Sequence, residues 1–98
     1  MNSMLCLRID LVEYEPSARH RVAKAVLSEF LSIHGLEDEA RARVMAALEH
    51  LTWSGSLERL DLKCNRDEVV LEVLGSGRRS AHRLRIPGVS CPCRPPSA

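Results

Sequence analysis

Aromatic side chains are scarce in this chain. Tyr14, Phe30 and Trp53 are the whole set, 3% of 98 residues. An aliphatic core is therefore expected, without the stacking platforms on which single-stranded nucleic-acid binders seat bases. Charge of one sign is lacking too: 14 Lys and Arg face 13 Asp and Glu, for a formal net charge of +1. That balance excludes a global field drawing the chain to nucleic acid or to an anionic membrane. No apolar run approaches the roughly 18 residues of a membrane span. The opening Met1-Asn2-Ser3-Met4-Leu5-Cys6 has no basic region and soon reaches Arg8 and Asp10, which is not the pattern of a signal peptide. A cytoplasmic protein is the expectation. Internal repeats are also lacking.

Metal-ligand spacing is absent as well. Cys6 and Cys64 fall in predicted strands, where a cysteine behaves as a small apolar residue. Cys91 and Cys93 lie in the tail Cys91-Pro92-Cys93-Arg94-Pro95-Pro96, and C-x-C is not the C-x₂-C knuckle that signals zinc. His20, His34, His50 and His82 are scattered. The placing of the four cysteines argues against a disulfide framework, and no metal or cofactor is expected. No Ser/His/Asp or Cys/His set offers an enzyme with any geometry behind it.

What is present is a pattern of short elements. Hydrophobic residues make up 45% of the chain, enough for one domain with a small core. Leu5, Leu7, Ile9 and Leu11 alternate with Cys6, Arg8, Asp10 and Val12, so residues 4–13 read as a half-buried strand. Glu15-Pro16-Ser17 then starts a helix, with Glu15 or Ser17 near the cap. Its apolar stripe is Val22, Ala23, Val26, Leu27, Phe30, Leu31 and Ile33, and Gly35 ends it. A second helix starts around Glu37, with Glu37, Asp38 and Glu39 at its positive end. Its stripe is Ala40, Val44, Ala47, Leu48 and Leu51, and it ends at Ser54-Gly55-Ser56. Phe30, Leu48 and Leu51 are expected in the core.

Strands follow around Leu57, Leu60 and Leu62, then over Val69 to Leu74, with Asn65-Arg66-Asp67 as a hairpin turn. Gly75-Ser76-Gly77 breaks the pattern before a last short strand from Ala81 to Ile86. The predicted order is β-α-α-β-β-β. Such a chain is α+β, a two-layer sandwich with two helices on one face of a mainly antiparallel sheet. Residues 1–88 form the single domain, and 89–98 read as a disordered Pro/Cys tail.

One stretch carries more than fold information. Ala46-Ala47-Leu48-Glu49-His50-Leu51-Thr52-Trp53 resembles the box helix of the GHKL ATPases, in which a Glu is followed four residues later by an Asn. That spacing places both on one helix face. In the family the Glu orients or activates a nucleophile and the Asn holds Mg²⁺ against the triphosphate. Glu49 stands at the Glu position and Trp53 at the Asn position. Indole has one N–H donor and no oxygen, so it does not ligate a hard cation. The resemblance spans 4–79 and is nearest to the anti-sigma-factor serine kinases, which share this order of elements and end a hairpin in a D-x-G-x-G loop. Placing Gly77 on the first Gly of that loop puts Gly75 on the adenine-binding Asp and Arg79 on the last Gly. The resemblance thus implies a degenerate, shortened domain that has lost its chemistry and binds a signalling protein. It also implies a homodimer through the first strand or first helix. The plain readings stand beside it: Glu49 as a solvated helix residue, Trp53 as a helix-end plug, Gly75-Ser76-Gly77 as a turn.

The basic set Arg78, Arg79, His82, Arg83, Arg85 and Arg94 contains no acid. Its plain reading is a charged edge strand that deters pairing. Its functional readings are a contact surface for a regulatory protein, through Arg78, Arg79, Arg83 and Arg85, or a nucleic-acid interface over Arg78–Arg85.

Overall fold

The computed structural model describes residues 4–36, 38–51, 57–65 and 68–85. In chain order these form strand β1 (Met4–Asp10), helix α1 (Pro16–Ile33), helix α2 (Asp38–Leu51), and strands β2 (Arg59–Asn65), β3 (Glu68–Gly75) and β4 (Arg78–Arg85). The strands make one antiparallel sheet in the order β1-β2-β3-β4. The α+β class and the element order are those the residue pattern predicts.

Period-two alternation decides the two faces of the sheet. Leu60, Leu62 and Cys64 of β2 point to the helices, and Val73, Leu71 and Val69 stand opposite them on β3. Ile9 of β1 and Leu84 of β4 extend this buried layer to both edges. Ala23, Leu27 and Leu31 of α1, with Val44, Ala47 and Leu48 of α2, close over it as one aliphatic cluster.

Several local readings are corrected. β1 ends at Asp10 rather than residue 13, although Leu11 stays buried and its amide donates to the Glu58 carbonyl at 2.9 Å. Leu5 is 43% exposed, not part of the buried row. The register with β2 slips between Leu5 and Leu7, so Cys6 is an extra residue and Leu5 turns to the opposite face. The Cys6 and Cys64 sulfurs then lie 3.1 Å apart. The stripe of α1 is narrower than predicted: Val26 and Ile33 are exposed, and Phe30 is only partly buried, its ring centroid 4.3 Å from that of His34. Leu48 is fully buried as expected. Glu37, Ser54, Gly55, Ser56, the 66–67 turn, the side chain of Leu51 and the tail from Ile86 onward lie outside the described residues.

Local chemistry sets the helix ends. Glu15 is the N-cap residue of α1 and Pro16 occupies the first turn, where a missing N–H costs nothing. Arg19 fixes the approach: Nε donates to the Tyr14 carbonyl at 2.9 Å and Nη2 to that of Val12 at 3.2 Å. At the other end, Leu36 N–H donates to Leu31 O at 2.8 Å and Gly35 N–H to Ser32 O at 3.2 Å. With Gly35 at φ +79°, this is the Schellman closure, and buried Leu36 and Leu31 supply its apolar contact.

Open space surrounds the position of a Cβ at Gly35, so a side chain there meets only backbone strain. Gly35→Ala should cost roughly 1–2 kcal/mol in chemical denaturation, the penalty of the left-handed conformation. Leu31→Ala should cost about 2–5 kcal/mol, the usual range for a buried leucine. Half-buried Phe30→Ala should cost less than Leu31→Ala, and the reverse order would show that α1 packs by another face.

Candidate functional site

Glu49 lies on α2 against α1, its carboxylate 3.0 Å from Lys24 Nζ and 3.6 Å from His20 Nε2. Its side chain is half exposed. The hydrogen bond from Lys24 holds the Glu49 carboxyl below the ordinary glutamate range; partial desolvation opposes it, and the charges of Lys24 and His20 add to it. A carboxylate stabilised in this way is a weaker base. Trp53 lies outside the described residues.

Gly75 ends β3, and Gly77 sits with Ser76 in a two-residue turn that leads directly into β4. Both turn residues have positive φ, +54° at Ser76 and +74° at Gly77. That pair of angles is a type I′ turn, which matches the twist of the strands it joins. It also moves the start of the last strand from Ala81 back to Arg78. Gly75, Ser76 and Gly77 are thus a hairpin tip, with Leu74 and Arg79 paired just below it.

The face of the sheet turned away from the helices carries most of the charge, in ordered rows. Asp10, Arg59, Leu74 and Arg79 align across the four strands. Arg8, Asp61, Glu72 and Ala81 form the next row, and Leu5, Lys63, Val70 and Arg83 the one after. Arg8 grips Asp61 with both ends of its fork, Nε to Oδ1 at 2.9 Å and Nη2 to Oδ2 at 3.0 Å. Asp61 is 3% exposed, so this is a buried carboxylate held bidentately, with Arg59 Nε a further 3.6 Å away. The pairing raises the Arg8 pKa, first through the hydrogen bond and then through the Asp61 charge. Lys63 reaches Glu72 at 3.2 Å and Arg83 reaches Glu68 at 2.9 Å, each diagonally.

The predicted basic contact residues divide. Arg79, Arg83 and Arg85 project from this open face along the edge strand, whereas Arg78 falls on the other parity at the hairpin tip. Among the described residues, Arg79 and Arg85 have no acidic partner within ion-pair distance. Arg79 also borders a shallow surface dimple lined by Arg59, Asp61, Glu72, Val73 and Leu74, with no room inside for a water molecule.

Three arrangements escape a reading of the sequence. Arg8 and Asp61 meet only through the β1–β2 register, and Lys24 finds Glu49 only through helix packing. His50 and His82 approach edge to face with ring centroids 6.2 Å apart, because α2 crosses β4. No third ligand joins them: among the described residues no cluster of three or more His, Cys, Asp or Glu is placed to hold a metal. No helix is long and apolar enough to cross a membrane, again among the described residues.

Comparison with protein-family models, characterised proteins and solved structures finds no match to this chain.

The Glu49 geometry has a measurable consequence. Its carboxyl should titrate below the ordinary glutamate value, followed by the side-chain carbon signal in NMR. Lys24→Met should move that titration back up. The sign is that of a lowered acid: the stabilisation is complete above the unfolded value and fades as pH falls through the lowered one. An unchanged titration in Lys24→Met would show that the ion pair does not persist in solution.

Proposed function

We propose that this chain is a non-catalytic protein-interaction module whose contact surface is the basic strand β4. The observation that carries this reading is the alignment of Arg79, Arg83 and Arg85 along one sheet edge and on one face. Two of the three, Arg79 and Arg85, have no acidic partner among the described residues. Arginine is over-represented where one protein recognises another, because its planar fork binds carboxylates in two places at once.

A non-catalytic role is supported by the state of Glu49, whose half-exposed carboxylate is engaged by Lys24 at 3.0 Å. It is also supported by Gly75 and Gly77 serving a tight hairpin. Within the resemblance to shortened GHKL domains of anti-sigma type, the partner would be a protein of bacterial partner-switching signalling, held to inhibit or sequester it. A nucleic-acid role through Arg78–Arg85 uses the same side chains. The near-zero net charge and the scarcity of aromatics argue against it.

Affinity capture from the host cell decides between them, with the parent chain compared to an Arg79→Glu, Arg83→Glu variant. The parent should retain a protein that the variant loses, with nuclease treatment making no difference. The variant should stay folded with a modest drop in melting temperature, because Arg79 makes no ion pair with a described residue, whereas Arg83→Glu gives up one exposed pair and sets a carboxylate beside Glu68. Retention that nuclease abolishes, and that falls steeply with salt, would establish the nucleic-acid reading instead. Retention indifferent to the charge reversal would remove β4 from the interface.

A further inference from the structure

We infer that β4 receives an extended acidic segment of its partner as a fifth strand of the sheet. This rests on the interaction reading above and specifies its mode and the chemistry of the partner. The first observation is the direction of the backbone. The type I′ turn makes Gly75 and Arg78 a hydrogen-bonded pair, and pairs alternate from there. Arg78, Ser80, His82 and Leu84 therefore bond to β3. Arg79, Ala81, Arg83 and Arg85 turn their N–H and C=O groups outward from the sheet. One contact corroborates the assignment: the Arg85 carbonyl accepts a hydrogen bond from Arg43 Nη1 of α2 at 2.9 Å. No described strand pairs with the rest of this row. Strand addition supplies the missing partners through main-chain bonds, and side chains then set specificity.

The second observation is charge. The residues whose backbone faces outward are the ones whose side chains stand on the open face, namely Arg79, Arg83 and Arg85, with small Ala81 between. β4 contains no acidic residue. A second copy of β4 would set arginine against arginine, which destabilises a pair of strands. A segment with acidic residues opposite those three positions meets them at cross-strand distance. In antiparallel alignment its pattern is acid-x-acid-x-small-x-acid.

The third observation separates the two edges. β1 carries the bulge at Cys6, a device that blunts an edge and interrupts a regular ladder. β4 pairs with β3 over all eight of its residues without a register shift. It is the regular edge, and the basic one.

The test uses the full chain, isotopically labelled, and three probes. The first is the peptide Glu-Val-Glu-Val-Thr-Val-Glu with blocked ends. The second has the same side chains but N-methyl groups on alternate backbone nitrogens facing the edge, which keeps the charge and blocks a ladder. The third is a single-stranded oligonucleotide of matching charge. The plain peptide should bind and slow amide exchange at Ala81 and Arg83, with close Hα contacts to β4. The N-methylated peptide should bind roughly tenfold more weakly or worse, a difference of about 1.4 kcal/mol. Ala81→Pro should abolish binding of the plain peptide, because it deletes an outward N–H and spares the β3 ladder. Should that variant fail to fold, the N-methylated peptide still decides.

Equal binding of the two peptides would overturn strand addition and leave an interaction through side chains alone. Failure of both peptides at millimolar concentration, beside a successful nuclease-resistant capture, would overturn the acidic strand and keep the interaction module. Tighter binding of the oligonucleotide, without amide protection, would overturn both.

Discussion

Strand β1 lies beside β2 although both helices come between them in the chain. That pairing closes the domain, and it is the most expensive contact in chain entropy, since loop closure must precede its rewards. The β2–β3 and β3–β4 pairs are hairpins that form locally. The β1–β2 pair needs a reason to choose one register, because a slip of one residue exchanges the buried and open faces. Arg8 and Asp61 supply it. Asp61 is nearly inaccessible in the centre of the sheet, and its carboxylate is satisfied by the fork of Arg8, which stands directly opposite. A neighbouring register would leave that carboxylate buried without its bidentate partner, at a cost of several kcal/mol. The pair matters less for its net energy than for the alternatives it penalises.

From that constraint the two faces follow. Two helices cover one side of a four-stranded sheet, and Leu60, Leu62, Leu71 and Val73 are sealed beneath them. The other side has no helix among the described residues, yet Val70 there is only 3% exposed. Lys63 and Arg83 flank it in the same row, each drawn aside by its own carboxylate, Glu72 or Glu68. Long charged side chains shelter apolar surface with their methylene stems while their heads stay wet. The open face is thus a lattice of cross-strand pairs in which the three paired acids lie on the central strands. Asp61, Glu68 and Glu72 sit on β2 and β3, and unmatched positive charge is left at the β4 margin.

Much of the fold is legible in the residues, and the failures have physical causes. Both helices and all the strands announce themselves by period, and Gly35 marks a helix end by the one conformation it adopts cheaply. Leu5 misleads because alternation assumes an unbroken ladder, and a bulge leaves no mark in composition. The start of β4 is missed because Arg78 and Arg79 look like loop residues, whereas Ser76 and Gly77 already complete the turn. Val26 and Ile33 fit a helical stripe and still face outward, since the two helices share a seam too narrow for all seven apolar positions. Arg8 with Asp61, and Glu49 with Lys24, depend on tertiary register, which no local spacing encodes.

The candidate site was half visible for the same reason. A run of basic residues is apparent in one dimension, but its meaning depends on parity. Alternation gives Arg79, Arg83 and Arg85 one face, and the hairpin gives those same residues the outward backbone. The coincidence is not accidental to a two-residue turn. The turn fixes which pairs bond inward, so the distance of each arginine from the turn decides both where its side chain stands and where its N–H points. Lengthening the turn by one residue would put the arginines under α2 and leave Ser80, His82 and Leu84 on the open face. The short turn at Ser76 and Gly77 therefore does more than reverse the chain. It sets the phase of the basic edge.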